Sequence, residues 1–294
     1  MTGELTISHT STVTEDQIDH LGHMNVRWYF ANARAATRQV LASLGHPDVA
    51  TADLYDMYTR HHREQMLGNR LEVRSGIVGV DGTSIRMYHE LANADTGDLA
   101  ATFVFRVRSA TPVDATPADT VEVIEIPGHG APRSIDVDAE PATPSLERLR
   151  ELGLEMRRER TIGPEDTEGA DTVPAHLVPM LLWGGTALDG DEVELVRTGP
   201  DGTRLGWVTM ETRIVTHRLP EIGTRIQSFT ATTAMGDKVN QRSMWAHDLD
   251  RGDLLVSFEL VSLMFDLDAR RARSIPEGFG DETVHPEFAS RRPD

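Results

Sequence analysis

The sequence predicts an α+β protein built from two copies of one unit, each an antiparallel sheet wrapped around a central helix. Three observations carry that expectation. "HHREQMLGNRLEV" matches "THRLPEIGTRIQS" so that His62, Arg63 and Gly68 fall on His217, Arg218 and Gly223, a shift of 155 residues (68 to 223). The same register, without a gap, carries "DTGDLAATFVF" onto "DRGDLLVSFEL". Each copy also joins one long apolar, alanine-bearing run to several short segments of alternating polarity.

The elements follow in chain order. An extended segment over about 6–13 leads to the run Met24 to Leu44, whose length and alanine content predict a helix. Met24, Trp28, Ala31 and Ala35 make it apolar over most of its girth, with Arg27, Arg34 and Arg38 as one polar stripe, the pattern of a helix enclosed by a sheet. Strands are expected near 56–65, 70–80, 83–93 and 99–108. In the last, Ala101, Phe103, Phe105 and Val107 share one face, which predicts a half-buried antiparallel strand. "DTGD" and "DRGD" are the hairpin turns before it, with glycine supplying positive φ. The first unit is expected over 1–112 and a Pro- and Asp-rich linker over 113–150. The second unit follows over 151–275, with a polar tail over 276–294.

Composition sets the limits. A chain of 294 residues with 39% hydrophobic content can bury a real core, and it holds no cysteine, so disulfides and thiolate metal sites play no part. No signal peptide and no bilayer-length apolar run is evident, so the expectation is a soluble cytoplasmic protein. Net charge is −18, and Lys238 is the only lysine. That field repels nucleic acid and anionic membranes. Its plainer meaning is codon bias and solubility.

The densest chemistry is "DHLGHMN", Asp19 to Asn25, at the mouth of the first helix. A helix start offers free N–H groups and the positive end of a dipole, able to hold a developing oxyanion. Gly22 permits close approach, and Asp19 can activate water or attack a carbonyl. Each residue has a plainer reading too: Asp19 and Asn25 are ordinary helix-start residues, and His23 can bond to backbone alone.

The stretch resembles the Asp-x-x-Gly-His-x-Asn signature of the hotdog-fold thioesterases, above all the 4-hydroxybenzoyl-CoA and acyl-ACP thioesterase branches, with Tyr29 where many members carry tyrosine. The resemblance implies a double hotdog, two sheets joined edge to edge as a pseudo-dimer, and hydrolysis of an acyl thioester. Asp19 would be base or nucleophile, with His23 and Asn25 positioning carbonyl and water. Gly22, Met24 and Tyr29 would line the substrate, and Arg27 or Arg63 would meet the phosphates of coenzyme A. The substrate would be an acyl-CoA, with an acyl carrier protein as second candidate. No metal or separate cofactor is expected, and the paired fold suits a monomer or a homodimer.

The chain also departs from the family. Leu21 stands where plant-type acyl-ACP thioesterases carry asparagine, and no glutamate lies between Met24 and Leu44. A shift near 153 brings His23 onto His176, with Thr172, Ala175 and Val178 at the acid, glycine and asparagine positions. One working site is therefore expected, walled by the second copy's helix, with Met180 and Trp183 as candidate linings. His20, His62 and His217 read as structural, His89 as a core histidine, and the neighbours His61 and His62 as facing opposite ways. Two rivals stay open. One is a hotdog hydratase or dehydratase, whose Asn-Pro-x-His segment is not found. The other is a non-catalytic acyl-thioester-binding protein.

Overall fold

The computed structural model describes residues 3–19, 22–45, 52–109, 122–174, 177–183, 196–279 and 283–290. Two compact units divide the chain, Met1–Pro132 and Arg133–Asp294.

In the first unit, β1 (Thr6–Thr12) is followed by α1 (Val26–Ser43), then β2 (Ala52–His61), β3 (Arg70–Asp81), β4 (Ser84–Asn93) and β5 (Leu99–Ser109). The strands are antiparallel in the order β1-β3-β4-β5-β2. Asn25 caps α1 by accepting the Arg27 N–H at 3.0 Å, and Gly45, at φ +82°, lies just past its end. Tyr29, Phe30, Ala33, Ala36, Thr37 and Leu41 form its buried face. Phe30 meets Phe103 edge to face, so the Ala101–Val107 stripe of β5 lies under the helix as the alternation predicts.

β5 is buried on its other face too, at Thr102 and Val104. The expected linker accounts for this, because part of it crosses the outer face of the sheet. Val123 bridges Ile77, Ile124 fills the space beside Gly76, and Gly130 packs on Tyr88 so closely that no Cβ would fit beside its ring and hydroxyl. β2 starts and ends about four residues before the expected strand, since His62 and Arg63 both turn their N–H groups to the Ala100 carbonyl.

One buried chain of hydrogen bonds ties four elements together. Thr37 of α1 lies 3.1 Å from His89 Nε2, Ser75 Oγ lies 2.6 Å from Nδ1, and Ser8 Oγ lies 2.6 Å from Ser75. The Thr37 hydroxyl donates to the Ala33 carbonyl, so it accepts from His89 Nε2–H and leaves Nδ1 to accept from Ser75. His89 is a satisfied core histidine. Burial pushes its pKa down to about 3, so the ring is neutral.

The second unit contains α2 (Leu146–Glu151), β6 (Arg160–Thr161), α3 (Val178–Trp183), β7 (Val196–Thr198), β8 (Arg204–Thr216), β9 (Arg225–Met235), β10 (Val239–Asp248), β11 (Leu254–Asp266) and β12 (Arg271–Ala272). Its order β6-β9-β10-β11-β8 repeats the first unit's, with β7 added on β8 and β12 on β11. The repeat reaches single bonds. His62 Nε2 lies 3.4 Å from Thr102 Oγ1, and His217 Nε2 lies 2.9 Å from Ser257 Oγ. Arg70 pairs with Asp95 as Arg225 pairs with Asp250, and Gly97 and Gly252 both turn at φ +75°.

Buried contacts anchor the described parts of both the linker and the tail. Glu211, 3% exposed, accepts backbone N–H groups of Arg133, Ser134 and Ile135, and Arg213 donates to the carbonyls of Asp136 and Ala139. Leu146 and Leu149 of α2 then pack with Phe229, Trp245 and Phe288. The polar tail hides that Phe288 as an anchor, edge to face on Trp245, while His285 N–H donates to Thr232. Composition cannot reveal a single buried aromatic in a polar segment. No helix among the described residues is long and apolar enough to cross a membrane.

Candidate active site

The spacing of Asp19 and His23 has a local cause. Asp19 N–H donates to the His23 carbonyl at 2.9 Å, Gly22 N–H donates to the Asp19 carbonyl at 3.0 Å, and Ile18 bridges Met24. Gly22 sits at φ +86°, a conformation that favours glycine. The closed loop sets the two side chains side by side, with His23 Nδ1 at 3.3 Å from Asp19 Oδ2. The Asp19 side chain is 15% exposed and that of His23 24%, so the pair is sheltered yet reachable.

The opposite nitrogen, His23 Nε2, lies 3.8 Å from Glu64 Oε1. Glu64 was not singled out from the sequence. It leaves the end of β2 and is held by its neighbour: the Gln65 carbonyl accepts Met24 N–H at 2.7 Å, and the buried Gln65 side chain bonds Asn93 at 3.3 Å. The repeat contained a signal, because "HHRE" aligns with "THRL": His62 and Arg63 are kept, while Glu64 faces Leu219.

Tyr29, one turn into α1, is buried and donates its hydroxyl to the Arg63 carbonyl at 3.1 Å. Burial raises its phenol pKa, and the charges of Glu64 and Asp19 add to this against a backbone hydrogen bond from Gln65. Met24 is buried at 2% exposure. Asn25 acts as the helix cap, its own N–H donating to Gln17. The helix mouth is less open than expected, since the N–H groups of Met24, Asn25, Arg27 and Trp28 are all engaged. Arg27 lies over the Trp28 ring at 4.8 Å, and Arg63 pairs with Asp98 at 2.6 Å on the surface. His20, Leu21, Ala175 and His176 lie outside the described residues, as do the side chains of Met180 and Trp183.

The structure corrects the register of the second copy. Gly68 N–H donates to the Val13 carbonyl and Met24 N–H to that of Gln65; Gly223 donates to Ile162 and Val173 to Pro220 in the same way. Ahead of the helix the shift is therefore 149 residues (24 to 173), not 153, and six more residues separate 173 from 217 than 24 from 62. His23 thus corresponds to Thr172 rather than His176, Asp19 to Glu168, Gly22 to Asp171 and Asn25 to Pro174. The second unit keeps an acid at this place but neither the imidazole nor the second carboxylate.

Other candidates separate cleanly. His61 and His62 do diverge: His61 meets Tyr29 edge to face at 5.4 Å, while His62 turns to Thr102. Burial lowers both pKa values, that of His61 to about 4. Among the described residues no three His, Asp or Glu side chains gather so as to hold a metal ion. A small cavity of about 120 Å³ in the second unit, lined in part by Asp136, Arg242, Glu259 and Ser290, contains none of the residues singled out from the sequence.

Residues 13–111 match the family model of the thioesterase-like superfamily, and residues 195–283 match that of the acyl-ACP thioesterase N-terminal domain. No curated protein matches the chain. Among solved structures, it is similar to an acyl-ACP thioesterase from Bacteroides thetaiotaomicron, with TM-score 0.62 and 7% identity over 88% of this chain and 97% of that one. It is also similar to a putative oleoyl thioesterase from Lactobacillus plantarum, with TM-score 0.62 and 11% identity over 93% and 98%. A 12:0-ACP thioesterase from Umbellularia californica gives TM-score 0.58 and 10% identity over 88% and 94%. At such identities the likeness is one of fold.

Proposed function

We propose that this chain is a hotdog-fold thioesterase, that its first unit carries the working site, and that Asp19 is its base or nucleophile, acting with His23, Asn25 and Glu64. The observation that carries this reading is the Asp19–His23–Glu64 row beside the head of α1. Asp19 removes a proton from water as the oxygen adds to the thioester carbonyl carbon. His23, held between two carboxylates, orients that water. We assign the Val26 N–H, the first of α1, to the developing oxyanion. The C–S bond then breaks, and the leaving thiolate takes up the proton held by Asp19. Asn25 Oδ1 is engaged as the cap, so its amide N–H₂ is the part that serves substrate. No metal or separate cofactor enters the scheme.

The substrate we propose is an acyl-CoA, in a cytoplasmic setting. A net charge of −18 disfavours an acidic carrier protein. Arg27 and Arg63 are the guanidinium groups nearest the site in sequence; Arg63 would have to leave Asp98, an exposed pair of small worth, to meet phosphate. A second reading, an acyl carrier protein as the thiol, is favoured by the match of residues 195–283 to the acyl-ACP thioesterase model. The double-hotdog pairing belongs to the same proposal and is supported by one strand order recurring in both units.

A panel of acyl-CoA and acyl-carrier thioesters, followed by free-thiol release and product mass, tests the reading. Thiol release with free acid is the expected result. Gain or loss of one water without thiol would indicate a hydratase or dehydratase. Tight binding with neither would indicate a sensor.

A further inference from the structure

Two polar atoms on the inner face of β2 are buried with no hydrogen-bond partner: Thr59 Oγ1 and His61 Nε2. They are two residues apart, so their side chains share one face of the strand. That face lies under α1, since Thr59 pairs across the sheet with Phe103, whose ring meets Phe30, and the His61 ring meets Tyr29. Thr59 is fully buried, and His61 is half-buried with its Nε2 atom out of reach of solvent. Tyr29 connects it to the site, because the same residue reaches the Arg63 carbonyl and feels the charges of Glu64 and Asp19.

Buried hydroxyl and imidazole groups almost always find partners, and one left without costs stability. His89 shows how this chain satisfies a core imidazole, with a hydroxyl at each nitrogen. We propose that Thr59 and His61 are specificity residues that hydrogen-bond a neutral oxygen on the acyl chain, so that the enzyme prefers hydroxy- or oxo-substituted acyl thioesters over plain hydrocarbon ones. This rests on the reading of the site as a thioester hydrolase.

The chemistry of the two groups defines the class. The His61 ring is neutral at pH 7, so it offers one donor or one acceptor, as does the Thr59 hydroxyl. Such a pair suits a hydroxyl or ketone and offers no countercharge to a carboxylate or an ammonium group. A hydrocarbon chain would leave both groups unpaired, and sites built around a substrate hydroxyl discriminate strongly against analogues lacking it.

The test uses matched acyl-CoA pairs, plain and hydroxylated at successive chain positions, both as cleavable esters and as non-hydrolysable thioether analogues. For the wild type, at least one hydroxyl position should improve kcat/KM and analogue Kd by about tenfold or more. Thr59→Val and His61→Phe should bring that ratio toward one while plain chains bind as well or better. A wild type without preference, no binding of either analogue, or an undiminished preference in folded Thr59→Val would overturn the proposal. If the esters are not cleaved, the hydrolase reading fails, and the Kd ratio of the analogues still decides the role of Thr59 and His61.

Discussion

His23 Nδ1 stands 3.3 Å from Asp19 Oδ2 because the backbone between them is closed at both ends, by Asp19 N–H on the His23 carbonyl and by Gly22 N–H on that of Asp19. The acid and the imidazole therefore form one unit. Each single replacement, Asp19→Asn or His23→Gln, should lower kcat/KM by about 10²–10⁴-fold. The double variant should fall little further than the worse single, because residues acting together are not additive. Steady-state kinetics on one cleavable thioester checks this, and additive losses would separate the two roles.

Asn25 caps α1, so its removal should show first in stability. Asn25→Ala should lose about 1 kcal/mol by urea denaturation, and Asn25→Ser should recover most of it. If Asn25→Ser recovers stability but not turnover, the amide N–H₂ serves substrate as well.

Acid should destabilise the fold through its buried imidazoles. His89, held neutral by burial, has a folded pKa of about 3 against an ordinary 6.5, and His61 about 4. In that interval the unfolded chain binds the proton and the folded chain does not. Stability contributed by these groups is present above about pH 6.5 and is lost progressively as pH falls toward about 3 to 4. His9, His62, His217 and His247, all lowered chiefly by burial, act in the same direction. Urea midpoints at a series of pH values should fall on the acid side. His89→Gln, weaker at neutral pH, should show a shallower dependence.

Phe288 holds the C-terminal segment on Trp245 at 5.2 Å between ring centroids and is 6% exposed. Phe288→Ala should cost about 3 kcal/mol, the low end for a buried phenylalanine. Leu67→Ala, at a site 59% exposed, should change stability by less than about 0.5 kcal/mol. Thermal or urea unfolding of the two variants makes the comparison.

Much of this architecture was legible because the repeat and the alternation act over short distances. The β5 stripe, the glycine turns and the enclosed helix all follow from spacing within one element. The pairing of Asp19 with His23 is equally local. Glu64 is not: it reaches His23 only because β2 returns along α1 and Gln65 fastens its end to Met24, a tertiary fact. The second-copy register escapes sequence comparison because six extra residues fall between Val173 and His217, so no single shift fits both sides of the helix. The packing of the linker and tail is not legible in composition because a few buried groups, Ile124, Glu211 and Phe288 among them, carry it amid polar neighbours.

The most direct test is thiol release from the best acyl thioester by the wild type and by Asp19→Asn, with circular dichroism confirming equal folding. kcat should fall by about 10²-fold or more with little change in KM. An Asp19→Asn enzyme turning over within about threefold of wild type would rule out Asp19 as base or nucleophile.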